Sequence, residues 1–221
     1  SGAYPDRLGW RALAGKTHAD GRTGVEKKNM SAWIKMISDD DADEELLDVL
    51  QLSRTPHGTV DNVMRVHSLR PNTMRGHVVL YRAALHDDAN TLPTWLQETI
   101  SSYVSILNNC AYSLANHWAN ARHLIADEAR ADDIEKALNE RKPEHAFSGS
   151  ELALMQYTEK LTLTPGGMVE ADVQALKSSG LDDGQILEAN QIVCYFNYVN
   201  RSLNGLGVST GGDIVGYYAE T

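Results

Sequence analysis

Three side chains that can do chemistry lie close together in the segment NNCAYSLANH, residues 108–117. Cys110 is one of only two cysteines in the chain, and Ser113 and His117 follow it. On a helix, residues three and four positions apart share a face. A histidine there can exchange protons with a thiol, a hydroxyl or a water molecule near neutral pH. With a cysteine at position 113 the segment would read C-x-x-C-x-x-x-H, a redox motif, so the serine limits the chemistry of this site.

The asparagine pair before Cys110 favours a helix start, because asparagine is a strong N-cap. Cys110 would then lie in the first turn, near the positive end of the helix dipole, and its thiol pKa would be lowered. The alternative is that Cys110 is a small apolar side chain of the core, as most single helical cysteines are.

Glu98 is the nearest acid on the amino-terminal side, twelve residues before Cys110. On one unbroken helix that separation would be roughly 18 Å. The Glu98 carboxylate therefore reaches the other side chains only if the chain bends at the asparagine pair or if two helices pack together.

The elements that must position these residues are predicted to be helices. Apolar residues recur at helical spacing, whereas no convincing strand alternation is found and no Asn-Gly step joins two alternating segments. Pro71 should separate two helices, Pro93 should lie in the first turn of another, and Gly180 should end a further one. We therefore predict an all-α protein.

Two regions differ in composition. Residues 1–25 are rich in Gly, Arg and small side chains and show no period, which predicts an extended arm, whereas residues 26–221 should form a single all-α domain. The segments AYSLANHW and NRSLNGLG share a Ser-Leu step, which suggests a degenerate internal helical repeat. The tail VGYY is predicted to be core or a subunit contact.

Charge and cysteine content exclude several classes of protein. The net charge is −10, with 30 acidic and 20 basic residues, which argues against non-specific nucleic-acid or anionic-membrane binding. No apolar run approaches the ~20 residues of a membrane span. Two cysteines give no disulfide framework, so a cytoplasmic location is expected.

These residues together resemble the AhpD-like alkylhydroperoxidases, which are grouped with the carboxymuconolactone decarboxylases. The signature of that family is a Glu, about a dozen residues, and then C-x-x-C-x-x-x-H on an all-α scaffold. Glu98, Cys110 and His117 match it in type and spacing. HSLRPNTMRGHVVLYRAAL resembles the lead-in helices of the family, and CYFNYVNRSLNGLGV the C-terminal helix of its longer, peroxidase-related branch. The resemblance covers about residues 60–215.

The resemblance implies an AhpD-like helical bundle that forms homo-oligomers, either dimers or a trimer of dimers. In family members that are peroxidases, the second cysteine attacks the peroxide, the first resolves it as a disulfide, and the Glu and His relay protons. Ser113 stands in the place of the attacking thiol, which excludes a dithiol cycle through this motif. Cys194 is a conceivable replacement, but its apolar surroundings IVCYF predict a core residue.

Three functions stay open. In the first, a peroxidase-related oxidoreductase, Cys110 reduces a hydroperoxide, Glu98 and His117 transfer protons, Ser113 hydrogen-bonds nearby, and an external thiol is the reductant. In the second, a lyase, Glu98 and His117 move protons on a carbonyl or lactone substrate without any thiol. In the third, the protein is a non-catalytic oligomer that binds a small organic acid.

No cofactor is expected, and neither nucleic acid nor a membrane is an expected partner. A mononuclear metal site that uses Glu98 is a minor alternative. Three further histidines, His67, His77 and His86, fit no metal-binding pattern.

Overall fold

The helices of this protein surround one central helical hairpin. The computed structural model describes residues 31–218, so the predicted arm at residues 1–25 lies outside the described residues and stays a prediction. Within residues 31–218 the chain is helical without any strand, as predicted. In the same range, no helix is long and apolar enough to cross a bilayer.

Nine α-helices are present in the described range. They are α1 Glu44–Leu52, α2 Asn62–Arg65, α3 Pro71–Leu85, α4 Thr94–Leu107, α5 Ala111–Ile125, α6 Glu128–Asn139, α7 Gly149–Leu163, α8 Glu170–Ser178 and α9 Asp183–Leu206. Single 3-10 turns lie at Asp39–Asp41, Pro143–His145 and Pro165–Gly167.

Helix α4 is the centre of the fold, because it is buried on all its faces from Leu96 to Ser105. It packs against α5, α7 and α9. Its serines allow this close packing because they are small and their hydroxyls return to the helix: Ser101 donates to the Gln97 carbonyl at 2.7 Å, and Ser102 to the Glu98 carbonyl at 2.8 Å. A polar helix can thus occupy the core with its hydroxyls satisfied.

The asparagine pair closes α4 instead of starting α5. Asn109 adopts the left-handed conformation with φ 51°. Its amide donates to the Ile106 carbonyl at 3.0 Å, and the Cys110 amide donates to the Ser105 carbonyl at 2.9 Å. These two bonds define a Schellman C-cap. The predicted N-cap role of the asparagines is therefore wrong, and Cys110 itself occupies the N-cap position of α5.

The breaks predicted at Pro71, Pro93 and Gly180 all lie at helix ends in the structure. Pro71 is the first residue of α3, and Gly180 follows the end of α8 with φ 102°. Pro93 is the N-cap of α4, one residue before the predicted position in the first turn. A capping box formed by Asp182 and Gln185 begins α9.

Two apolar clusters hold the helices together. The larger cluster surrounds α4 and α9, and the smaller one lies between α1, α2 and α3. The two segments with the Ser-Leu step lie at the start of α5 and at the end of α9, which are not equivalent positions. The internal repeat therefore stays a prediction.

The left-handed residue of the α4–α5 turn gives a stability prediction. The Asn109→Val variant should lose roughly 1–2 kcal/mol of unfolding free energy, because a β-branched residue is strained at positive φ. The matched Asn109→Gly variant should be as stable as the native protein or more stable. Urea unfolding of all three proteins measures this difference, and equal midpoints for Val and Gly would contradict the turn geometry.

Candidate active site

A cavity of about 330 Å³ lies between α2, α3, α5, α9 and the segment that follows α9. His117 and Ser113 are on its wall, on α5. Aromatic rings form much of the remaining surface, namely those of Tyr81, Tyr112, Tyr195 and Tyr217. The cavity is large enough for a small organic molecule.

Glu98 and His117 form a close pair across the α4–α5 hairpin. His117 Nδ1 lies 2.6 Å from Glu98 Oε2. Glu98 is fully buried, and its other oxygen accepts a hydrogen bond from Asn120 Nδ2 at 3.1 Å. The His117 ring also packs edge-on against Phe196, with centroids 4.6 Å apart. Because Nδ1 faces Glu98, Nε2 is the ring nitrogen that can serve a molecule in the cavity.

The tight turn explains how residues so far apart in sequence meet. Helices α4 and α5 run antiparallel on either side of the turn at Asn109. Glu98 on α4 and His117 on α5 lie at similar distances from that turn, so their side chains meet. This is the bend at the asparagine pair that the sequence spacing required.

Cys110 lies in the core, among buried apolar side chains. Its exposed fraction is 1%, and it belongs to the larger apolar cluster. Burial raises the pKa of its thiol, an effect that the backbone amides of Ser113 and Tyr112 only partly oppose. The predicted lowering of the Cys110 pKa is therefore wrong, because desolvation outweighs the helix start.

The Ser113 hydroxyl is hydrogen-bonded to the hydroxyl of Ser105. Its Oγ lies 2.9 Å from Ser105 Oγ, one turn from the end of α4. The hydrogen-bonding partner of His117 is thus Glu98 and not the serine. Ser113 contributes a polar group to the cavity wall.

Cys194 was expected to be a core residue, and this expectation is wrong. The side chain is exposed on α9, where Sγ lies 3.8 Å from Asn190 Oδ1. The apolar run IVCYF misleads because α9 buries Val193, Tyr195 and Phe196 while turning position 194 outward. Both cysteines are free thiols.

Asp61 is an acidic group on the cavity wall. It occupies the N-cap position of α2, but its side chain makes no capping bond. Its Oδ1 is buried and has no hydrogen-bonding partner among residues 31–218. Burial, and secondly the nearby charge of Asp213, raise its pKa to about 6.

The segment after α9 closes the cavity, and the sequence pattern did not predict this role. Tyr112 donates to Asp213 at 2.5 Å. The Gly216 amide donates to Asn116 Oδ1 at 3.1 Å, and the Tyr217 amide to Asn120 Oδ1 at 2.6 Å. The tail VGYY therefore contacts the site through its backbone amides. Backbone contacts of this kind cannot be predicted from a side-chain pattern.

No group of three or more His, Cys, Asp or Glu side chains within residues 31–218 is arranged to hold a metal ion.

His86, which also lines the cavity, stacks on Tyr217 with ring centroids 5.0 Å apart. Its Nε2 is buried without a partner in the described part of the chain.

The raised pKa of Asp61 predicts a pH-dependent gain from the Asp61→Asn variant. The folded state favours the protonated acid, so ionisation costs stability as pH rises through about 6, and this cost is absent below the ordinary value of 3.8. Asp61→Asn should therefore raise Tm at pH 8, and the gain should vanish near pH 4. Calorimetry at both pH values measures it, with the exposed Asp88→Asn variant as control. A gain of equal size at both values would contradict the buried-acid assignment.

The comparisons with known proteins concern the fold. No protein-family model and no curated protein matches the chain. An uncharacterized peroxidase-related protein from Silicibacter sp. TM1040 has a similar structure, with TM-score 0.72 and 20% identity over 86% of this chain and 97% of that chain. An AhpD-core, peroxidase-related protein from Ralstonia eutropha JMP134 gives TM-score 0.67 and 20% identity, over 83% and 94%.

A third similar structure is that of the debrominase Bmp8, with TM-score 0.64 and 15% identity over 83% of this chain and 93% of that chain. At these identities the likeness concerns architecture, and it agrees with the helix order and the all-α composition described above. The chain therefore has the AhpD-like all-α fold.

Proposed function

We propose that the protein is an enzyme of the AhpD-like family that moves protons on a small carbonyl or lactone substrate bound in the cavity. The observation that carries this proposal is the 2.6 Å contact between Glu98 Oε2 and His117 Nδ1, with His117 on the cavity wall. Cys110 belongs to the buried apolar cluster and is not among the residues that line the cavity. The arrangement favours acid–base chemistry over thiol chemistry.

His117 is the general base in this mechanism. Nε2 takes a proton from the substrate, and the ring becomes an imidazolium whose charge the Glu98 carboxylate stabilises. Glu98 also fixes the tautomer, since its oxygen accepts from Nδ1–H and leaves Nε2 as the acceptor. Asn120 holds the second Glu98 oxygen, so the carboxylate keeps its orientation during the transfer. The same proton can then return to another atom of the substrate.

Arg82 suggests how an acidic substrate binds. It lines the cavity, and its guanidinium donates to the Leu52 carbonyl at 2.6 Å. The remaining guanidinium N–H groups suit a substrate carboxylate. An organic acid with a carbonyl or lactone group thus suits the size of the cavity and the charge of Arg82 on its wall.

Hydroperoxide reduction through Cys110 is the other candidate, and the likeness to peroxidase-related structures favours it. Hydroperoxide reduction requires a thiolate that a peroxide can reach. The Cys110 thiol is instead buried, and burial raises its pKa. A debrominase, Bmp8, solved in complex with 2,3,4-tribromopyrrole, has a similar fold, so the fold also hosts other chemistry.

Turnover measurements with three variants separate these functions. On a panel of lactones and keto acids, His117→Gln and Glu98→Gln should lower kcat at least about 100-fold, as expected for loss of a general base. Cys110→Ala should keep the native rate, and the exposed His145→Gln variant is the control. Consumption of cumene hydroperoxide with dithiothreitol, abolished by Cys110→Ala, would overturn the acid–base proposal.

We also propose that the chain forms homo-oligomers in the cytoplasm. Apolar side chains are exposed on two helices, Val79 and Leu80 on α3 and Leu187 and Tyr198 on α9. Contact between copies would remove this apolar surface from water. Light scattering at micromolar concentration should give a multiple of 24.3 kDa, and Val79→Glu should shift the mass towards that of one chain. A monomer in the native protein would refute self-association.

A further inference from the structure

A continuous chain of hydrogen bonds connects the cavity wall with the protein surface. Tyr195, which lines the cavity, has its hydroxyl 2.8 Å from His77 Nε2. His77 Nδ1 lies 3.0 Å from His67 Nε2, and His67 Nδ1 lies 3.0 Å from Thr73 Oγ1. His77 is buried, His67 is partly exposed and Thr73 is exposed. The four side chains thus span from the cavity to solvent.

The outer end of the chain fixes the direction of every bond in it. Thr73 Oγ1 donates to the Arg70 carbonyl at 2.8 Å, and a carbonyl can only accept. The threonine oxygen must then accept from His67 Nδ1–H, which leaves His67 Nε2 without a proton. In turn His77 donates from Nδ1, and Tyr195 donates to the bare His77 Nε2. All four donors point outward, from the cavity towards solvent.

Both histidines are neutral in this arrangement, as the chain requires. Burial, and secondly the neighbouring His67, lower the pKa of His77 to about 3. Burial also lowers the pKa of His67. Neutral imidazole carries one donor and one acceptor nitrogen, so each ring passes a hydrogen bond onward.

The Glu98–His117 pair shares its cavity with the inner end of this chain. Glu98 is fully buried, and its two hydrogen-bonding partners among the described residues are His117 and Asn120. An amide cannot take up a proton, so the pair can hold a proton but cannot pass it to solvent through Asn120. His117 and Tyr195 line the same cavity, where a bound molecule can contact both.

We propose that Tyr195, His77 and His67 form a proton path that links the cavity to solvent at Thr73. It rests on the proposed function, because the protons it carries are those of acid–base chemistry in the same cavity. Tyr195 is the inner end of the path, and His77 and His67 act through it as positioning and relay groups.

The transfer balances at each atom. Tyr195 Oη takes a proton from the bound molecule while its own proton passes to His77 Nε2. The Nδ1 proton of His77 passes to His67 Nε2, which makes His67 a transient imidazolium. Because its pKa is lowered, His67 releases its Nδ1 proton to water beside Thr73. Both rings are left as Nε2–H tautomers.

The path then runs in the opposite direction for the next proton. A proton that enters at His67 Nδ1 and leaves through Tyr195 restores the starting tautomers. The path therefore suits a reaction that removes one proton from the substrate and later returns one, such as an isomerisation or a decarboxylation.

Histidine NMR tests the path whether or not a substrate is known. In ¹⁵N-histidine-labelled protein at pH 7, long-range ¹H–¹⁵N spectra should show His67 and His77 as neutral Nδ1–H tautomers. Free histidine favours the other tautomer, so this result would be specific to the hydrogen-bond chain. In Tyr195→Phe, which removes the inner donor, the His67 signals should also shift. An Nε2–H tautomer at either residue in the resting protein would overturn the proposal.

Once the protein is found to turn over a substrate from the panel, chemical rescue of a His67 variant tests proton transfer along the path. His67→Ala should lower kcat roughly tenfold, less than the loss of a direct base, and millimolar imidazole should restore the rate. The exposed His145→Ala variant should show neither effect. A native rate for His67→Ala would overturn the path, even with the expected tautomers. Failure of the whole panel would instead count against the proposed function, and the NMR result would still decide on the path.

Discussion

The register between α4 and α5 satisfies one buried carboxylate, that of Glu98. A carboxylate in a protein interior is stable only if its oxygens are hydrogen-bonded and its charge is compensated. His117 supplies one partner and Asn120 the other. Both are on α5, so the pairing requires α5 to return along α4 in a fixed register. The Schellman turn at Asn109 provides that return.

The serine hydroxyls of helix α4 are satisfied within the helix itself. Ser101, Ser102 and Ser105 each donate to the carbonyl one turn earlier. No water is needed for them, and the small side chains let α7 and α9 approach closely. Glu98 is thus buried in closely packed surroundings, in which electrostatic interactions are stronger than at the surface.

The sequence predicted what depends on local pattern. Helical periodicity and the breaks at Pro71 and Gly180 depend on backbone constraints that neighbouring residues determine. The spacing of Glu98 and His117 indicated a pair, given a bend between them. The asparagine pair was predicted to start α5, but it ends α4. Asparagine suits both an N-cap and a left-handed C-cap, so its type alone does not decide between them.

What the sequence could not predict depends on contacts between distant segments. The raised pKa of Asp61 arises from burial and from Asp213, about 150 residues later. The burial of Cys110 and the exposure of Cys194 depend on which helix faces are covered, and an apolar run does not reveal that. The backbone amides of Gly216 and Tyr217 have no side-chain signature at all.

Asn120 gives the C-terminal segment a connection to the chemistry that it does not touch. Its Nδ2 donates to Glu98 while its Oδ1 accepts from the Tyr217 amide, so one planar group is held from both ends. The Asn120 amide therefore joins the backbone of the C-terminal segment to the Glu98–His117 pair, so the position of that segment and the orientation of the carboxylate are set by the same side chain.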